Sequence, residues 1–587
     1  AALARFGIGF LEVGPVTPEP YRAAQPLERR ADQEAVWYPD PPDNPGLEVF
    51  AQRLARASRL DIPVIVRLGC VPGATPAGAA DDCRRVVERL APHADLFSVA
   101  MPDHATATAW GRDGWREHVR AARQAARSLS PPRPLLACVP AGPDLAEAER
   151  LAVAAVEEGA DGVLMDGGVR TTSQAGLLRG RPAREPALRL VRHLRQHRPD
   201  LVIVASGGVH EPVHALELFE AGANLVQVDS GLVHGGPGLP KRINEALLFA
   251  SEKSAPAPAV PAEPVPPAET TWFWTLLLGI SMLLGGMLAL VIASTRVVLP
   301  YDEGFVGMTR EQLTRINDRL LAFMAHDRVT LAGTMISTGV LYIQLSLFGI
   351  RCGMHWARQV VLWSAFTGFG SFFLFLGFGY FDPFHAFVSA ILFQFLLLAL
   401  HARLPPAEAP AWPNLRDDWR WRWSLWGQFL FIVQGFLYVI GGVVICSIGV
   451  TKVFVPEDLA FMQTTVEALT EANPRLVPLV AHDRASFGGM LIATGLGVLL
   501  PALWGYRQGA RWLWWTFLAA GVPGYAAGIG VHLAVGYTDP WHLAPAFGGA
   551  AVFVLALVLS YPYLCQRDPA HEENWKRYLG NYQPNPR

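Results

Sequence analysis

Apolar residues fall along this chain in two patterns that change near residue 270. Beyond it they gather into long windows, at about 272–294, 329–350, 356–379, 383–402, 423–449, 485–504, 512–535 and 541–563. A helix of roughly 20 apolar residues crosses a bilayer, so the pattern predicts eight membrane helices, with the lipid bilayer as the first partner. Tryptophan and tyrosine near several window ends suit the headgroup layer. Before residue 250, short β-like runs alternate with amphipathic helical runs. The strand candidates are Ile8–Val13, Pro63–Arg67, Leu96–Val99, Leu135–Val139, Gly162–Met165, Leu201–Ala205 and Leu225–Val228, with helices expected at 81–90, 113–128, 145–158, 185–197 and 211–221. Near-continuous apolar strands with crossover helices predict a parallel sheet covered on both faces. Seven candidates are one short of a (β/α)8 TIM barrel; a doubly wound sheet is the alternative.

The membrane half matches itself at an offset of about 156 residues. His326-Asp327-Arg328 returns as His482-Asp483-Arg484, Gly333 and Gly339 as Gly489 and Gly495, and Asp382 and His385 as Asp539 and His542. Each block holds four windows and a long first loop, 295–328 or 450–484. An even number predicts two parallel four-helix repeats, here 271–422 and 423–564. Arg351, Arg358, Arg403, Arg416, Arg420, Arg422, Arg507 and Arg511 fall in one set of short loops, while those around Asp382 and Asp539 have no basic residue. Positive-inside then places both termini and the first 250 residues in the cytoplasm, with the long loops outside an inner (plasma) membrane. Residues 251–270, rich in proline and alanine, read as an extended linker, and 565–587 as a cytoplasmic tail.

Charge and cysteine usage narrow the function classes. The formal net charge of −2 gives no footprint for nucleic acid. Six scattered cysteines form no C-x-x-C pair, so neither a disulfide framework nor a zinc site is expected.

Several segments carry a resemblance. Gly7 to Pro18, Ala205 to Val209, Ala221 to Leu239 and Lys241 to Asn244 resemble the dihydroorotate dehydrogenase family, most nearly its quinone-using, membrane-associated class. The likeness runs from residue 6 to about 248. It implies a (β/α)8 barrel whose first strand lies upstream of Ala1, FMN as cofactor and quinone as partner. It also implies phosphate-binding turns at Gly207, Gly208, Ser230 and Gly231, since glycine-rich turns cradle anions with backbone N–H groups. The family's polar site is largely replaced. Its base serine falls on Met101, which accepts no proton at a useful pKa. Its asparagines fall on Ser98, Asp103 and near Ile65, its strand lysine on Cys138, and its Thr-Asn-Thr-Thr on Asp166 to Val169. Asn44 alone stands where a substrate asparagine is kept. His104, Asp103 and Asp166 follow strands and are the substitute proton carriers to test.

In the membrane half the candidate polar group is the repeated outer motif: His326, Asp327, Arg328, His385, His482, Asp483, Arg484 and His542. Its place at helix ends suits loop anchoring or a quinone or lipid headgroup, and no metal is expected there. His532 is the other polar residue inside a window. The missing base, lysine and asparagines point to a membrane-anchored relative that has lost dihydroorotate oxidation and serves as a non-catalytic accessory, scaffold or ligand-binding subunit with protein partners in a membrane complex. The alternatives are an FMN-dependent oxidoreductase passing electrons to quinone, and a transporter or receptor regulated by the barrel.

Overall fold

A computed structural model describes residues 6–57, 61–142, 144–171, 176–254, 265–372, 380–406, 413–566, 573 and 575–576. Half of the linker expected at 251–270 and most of the tail at 565–587 fall outside them. Contacts divide the chain into two compact units. One is Ala1–Ala257 with Trp412–Arg416 and Pro569–Arg587; the other is Pro258–Ala411 with Asp417–Asp568.

The first unit opens with β1 (Leu11–Val16), β2 (Glu28–Arg30), β3 (Ala35–Pro39), α1 (Leu47–Arg56), β4 (Val64–Leu68), α2 (Pro76–Leu90), β5 (Leu96–Val99) and α3 (His104–Arg127). It continues with β6 (Leu135–Pro140), α4 (Leu145–Glu157), β7 (Gly162–Asp166), β8 (Gly168–Arg170), β9 (Gly176–Gly180), α5 (Arg184–His197) and β10 (Ile203–Ser206). Then come α6 (Pro212–Glu220), β11 (Leu225–Gln227), α7 (Ser230–His234) and α8 (Leu239–Ser254). Seven strands pair in parallel in the order β1-β4-β5-β6-β7-β10-β11. Val64, Val66, Phe97, Val99, Leu135, Ala137, Val163 and Ala205 pack outward with the helices. Leu136, Cys138, Leu164 and Val204 form a separate inner cluster. The period of two along a strand separates these faces.

The closed TIM barrel expected from the sequence is not what forms. The sheet is an open, curled half-barrel: β1 and β11 are its edges, and among the described residues no ladder joins them. Closing such a sheet needs a strand count that matches its tilt and stagger. Across the opening Gln227 Nε2 donates to Glu12 Oε2 at 2.6 Å. A second sheet, β2-β3-β9-β8, is antiparallel and built from loops that follow the main strands. Its strands are three to five residues long, too short for a periodic signal.

The second unit is helical. It holds α9 (Thr271–Thr295), α10 (Pro300–Val306), α11 (Arg310–Ile316), α12 (Leu320–Gln344, running on to Cys352), α13 (His355–Phe372) and α14 (Pro383–His401). After these come α15 (Trp419–Val450), α16 (Pro456–Met462), α17 (Val466–Ala472), α18 (Leu476–Trp504), α19 (Arg511–Val535) and α20 (Pro540–Leu564). Seven helices among the described residues, not the expected eight, are long and apolar enough to cross a membrane: α9, α12, α14, α15, α18, α19 and α20. The window at 356–379 is described only to Phe372, within α13, whose first turns carry His355, Arg358 and Gln359 and lower its hydropathy; the window's last seven residues lie outside the described ones. The four-plus-four count therefore does not stand. The chain is a multi-pass membrane protein, with Leu284, Val291, Phe387 and Trp426 among the apolar side chains its surface exposes. Two matched glycines let helix backbones touch: a Cβ on Gly339 would lie 2.6 Å from Leu283 N, and one on Gly495 2.9 Å from Val439 N.

Candidate functional site

The parallel strands carry apolar inward residues at one level and polar ones a step further along. Glu12, Arg67, Ser98 and Gln227 meet there. Glu12 Oε1 accepts from Arg67 Nε at 3.0 Å and Ser98 Oγ at 2.7 Å; Oε2 accepts from Arg67 Nη2 at 2.7 Å and Gln227 Nε2 at 2.6 Å. A carboxylate offers about four lone-pair sites, and all are taken. Burial alone would push the Glu12 carboxyl up. The Arg67 charge and the bonds from Arg67, Gln227 and Ser98 more than offset it, holding the carboxyl below its ordinary value. Glu12 is therefore ionised at neutral pH and has no free lone pair for an incoming proton.

Above this network a cavity of about 1270 Å³ opens at the C-terminal ends of the strands. The small sheet furnishes one wall with Tyr38, Arg170 and Arg179. Arg179 Nη2 lies 2.6 Å from Asp166 Oδ1, and Arg170 Nη1 lies 2.7 Å from Asp40 Oδ2. Burial raises the Asp166 carboxyl, but Arg179, Arg67 and Arg170 bring it below the usual range. The wall is thus charged on both signs and internally paired.

The residues singled out from the sequence meet different fates. Met101, Asp103, His104, Asp166 and Asn44 all line this cavity. Asp103 caps α3, accepting from Ala105 N, Thr106 N and Thr106 Oγ1, and the exposed His104 begins that helix. Asn44 is occupied by its own loop, donating to Pro15 O and accepting from Gly46 N. Cys138 is buried, and burial pushes its thiol up to about 12, so it is no thiolate at neutral pH. The strand expected to present Ile65 puts Arg67 on the cavity.

The four expected phosphate-turn residues do not line the cavity; Ser206 and Asp229 stand there in their place. A Cβ on Gly208 would meet Arg184 Cβ at 2.7 Å, and one on Gly231 would meet Val209 O at 2.0 Å. These glycines are needed for close packing within the protein. The Ser230 hydroxyl is paired with buried His210 Nε2 at 2.9 Å. Most inner polar groups are bonded to one another, while Gln227 Oε1 at the floor is buried without a hydrogen bond among the described residues.

In the helical unit the two His-Asp-Arg motifs lie in the second and third turns of α12 and α18, further in than helix ends. Their partners are exchanged. Arg328 Nε donates to Asp483 Oδ2 at 2.8 Å, and Arg484 Nε to Asp327 Oδ2 at 3.2 Å. Arg328 also reaches Asp302 Oδ2 at 2.8 Å, and Arg484 Nη2 lies 2.7 Å from Asp458 Oδ2. Tyr380 donates to Asp302 and Tyr537 to Asp458. His482 packs on His385, and His326 on both His542 and His532.

The first unit is thus a curled parallel α/β domain with a polar cavity at its strand ends, joined in one chain to a multi-pass helical unit. The sequence profile for dihydroorotate dehydrogenase matches residues 1–249. A dihydroorotate dehydrogenase (quinone) of Chloroflexus aurantiacus is 34% identical over 275 residues, 43% of this chain and 75% of its own length. One from Thermus thermophilus is 34% identical over 263 residues, 41% and 73% respectively. The chain belongs to the dihydroorotate dehydrogenase family. Among solved structures, Eimeria tenella DHODH in complex with ferulenol matches with 23% identity and a TM-score of 0.39, over 43% of this chain and 78% of that one.

Arg67, Glu12, Gln227 and Arg179 went unnoticed in the sequence. A charged residue interrupting an apolar strand, as Arg67 does in Val64–Leu68, was the available signal: it must find a partner when buried.

Proposed function

We propose that this chain is a membrane-integrated member of the dihydroorotate dehydrogenase family that binds a small polar ligand in its strand-end cavity and does not oxidise dihydroorotate. The observation that carries the reading is Glu12. This carboxylate, buried at the cavity floor, is saturated by Arg67, Ser98 and Gln227, while the position of the family's base holds Met101. Asp103, Asp166 and Asn44 are committed to a helix cap, ion pairs and a loop. The protein then works as an accessory or scaffold subunit of a membrane complex. In this reading residues 1–250 and both termini face the cytoplasm at the inner membrane, residues 251–270 tether the two parts, and the membrane half derives from an internal repeat.

Family membership favours a second reading, an FMN-dependent oxidoreductase that passes electrons to quinone. Its support is the relatives' name and their 34% identity across three quarters of their length; the cavity's donors support the first. One experiment separates them. The full chain is purified in mild detergent, its absorbance spectrum recorded, and released small molecules identified by mass spectrometry. The first reading expects no flavin and no orotate formed from dihydroorotate with a soluble quinone. Near-stoichiometric FMN that bleaches on adding dihydroorotate would overturn it.

A further inference from the structure

Three histidines from distant parts of the helical unit converge. His326 comes from α12, His532 from α19 and His542 from α20. One ring nitrogen of each lies within 4.8 Å of one from each of the others. The ring centroids are 4.3 Å apart for His326 and His532, 5.6 Å for His326 and His542, and 5.2 Å for His532 and His542. His326 and His532 are more than nine-tenths buried.

The hydrogen bonds around them leave nitrogens over. His532 Nδ1 bonds the Gly528 carbonyl one turn back and therefore carries a proton, which leaves Nε2 with a lone pair; that Nε2 is buried and has no hydrogen-bond partner. His326 Nδ1 faces Asp327 Oδ1 at 3.2 Å, the carboxylate–histidine arrangement that keeps the proton on Nδ1 and leaves Nε2 as the ligand. His542 Nδ1 is 3.3 Å from Tyr537 Oη, whose own proton goes to Asp458 Oδ1 at 2.9 Å. A buried polar atom left unpaired costs about 1–3 kcal/mol. Edge-to-face packing of rings supplies no reason for the nitrogens to gather. A cation shared among three imidazoles does, and it satisfies the open lone pairs together.

We propose that His326, His532 and His542 bind a divalent transition-metal ion of the zinc type. Neutral imidazole is a preferred ligand of such ions, and three protein nitrogens with an open fourth position is an established zinc arrangement. The second shell matches what metal-bound histidines use: a backbone carbonyl behind His532 and a tyrosine hydroxyl, itself held by a carboxylate, behind His542. The surrounding charge is favourable, because among the described residues Asp327 and Asp458 share one arginine, Arg484, which leaves one net negative charge beside the cluster. A second cluster, Asp382, His385 and His482, brings two histidines and a carboxylate together around the other motif, so a variant at His385 tells which cluster the metal bands belong to.

The test uses the full chain in detergent, with any affinity tag removed, stripped by a chelator and titrated with Co(II). One equivalent should produce the intense visible bands of a four-coordinate Co(II)–imidazole site, and one equivalent of Zn(II) should abolish them. His532→Gln should lose the bands and weaken Zn(II) binding at least about 10–100-fold, the loss that even an outer-shell change causes. His385→Gln should keep both. Matching melting profiles of the stripped variant and stripped wild type establish that His532→Gln is folded; if it is not, Tyr537→Phe takes its place and should weaken Zn(II) binding over the same range. Wild-type protein that binds no equivalent of either metal, or a folded variant that binds as wild type does, overturns the assignment.

Discussion

Arg67→Met removes one partner of the buried pair at the cavity floor and leaves the other. The side chains of Arg67 and Glu12 are 8% and 7% exposed, so the carboxylate left behind stays largely desolvated. Two charge-assisted bonds disappear, at 3.0 and 2.7 Å, while Ser98 and Gln227 keep donating. Such bonds contribute about 1.5–3 kcal/mol each, and breaking a buried ion pair by removing one member costs about 3–5 kcal/mol; the two figures agree. The pH dependence follows from the sign of the shift. In the native protein the Glu12 carboxyl lies below its unfolded value, so its contribution is present above the unfolded pKa of about 4.3 and is lost as pH falls through the folded one. Without Arg67, burial dominates and lifts the folded value above the unfolded one. The variant therefore recovers part of its stability as pH falls through that raised value, and the gap to wild type narrows from pH 7 to pH 5. Pulsed thiol labelling of Cys83 and Cys138, both buried in this unit, reads its unfolding in urea within the full chain. Arg67→Met/Glu12→Leu removes both charges and should restore most of the loss. A single variant within about 1 kcal/mol of wild type at pH 7, or a double variant no better than the single, refutes the reasoning that this pair is a desolvated, mutually dependent unit.

His118, fully buried, is held down to about 4 chiefly by burial. Its neutral native form loses stability as pH falls from 6.5 toward 4, about 2 kcal/mol between pH 7 and 5, and His118→Phe should flatten that part of the labelling profile. Gly339→Ala sets a methyl carbon against the backbone of Leu283, at 2.6 Å from its N and 2.8 Å from its Cα; the melting temperature in detergent should drop, by the equivalent of about 1–3 kcal/mol. Arg484→Met leaves Asp327 and Asp458 buried without their cation and should cost about 3–5 kcal/mol in the same melt, whereas Arg296→Met, outside these pairs, should be near neutral.

Element type was readable where the signal is local. The strand runs of the parallel sheet and the long apolar helices follow from short apolar runs and from unbroken hydropathy, each a property of neighbouring residues. The start of α3 was not: its first turns carry His104, Thr106 and Thr108, and Gly111 at φ 60 breaks the run, so only the amphipathic part after residue 113 gave a helical pattern.

By itself the sequence determined that a parallel α/β segment precedes several membrane helices and that His-Asp-Arg occurs twice. Tertiary structure alone decided that the sheet stays open, that Arg67 finds Glu12 55 residues away, and that each His-Asp-Arg arginine takes the other motif's aspartate. It also brought His532 to His326. The physical reason is common to all of these. Burial obliges a charge or a ring nitrogen to find a partner, but which partner depends on how helices and strands pack, and residues separated by 155 positions leave no periodic trace of one another in the chain.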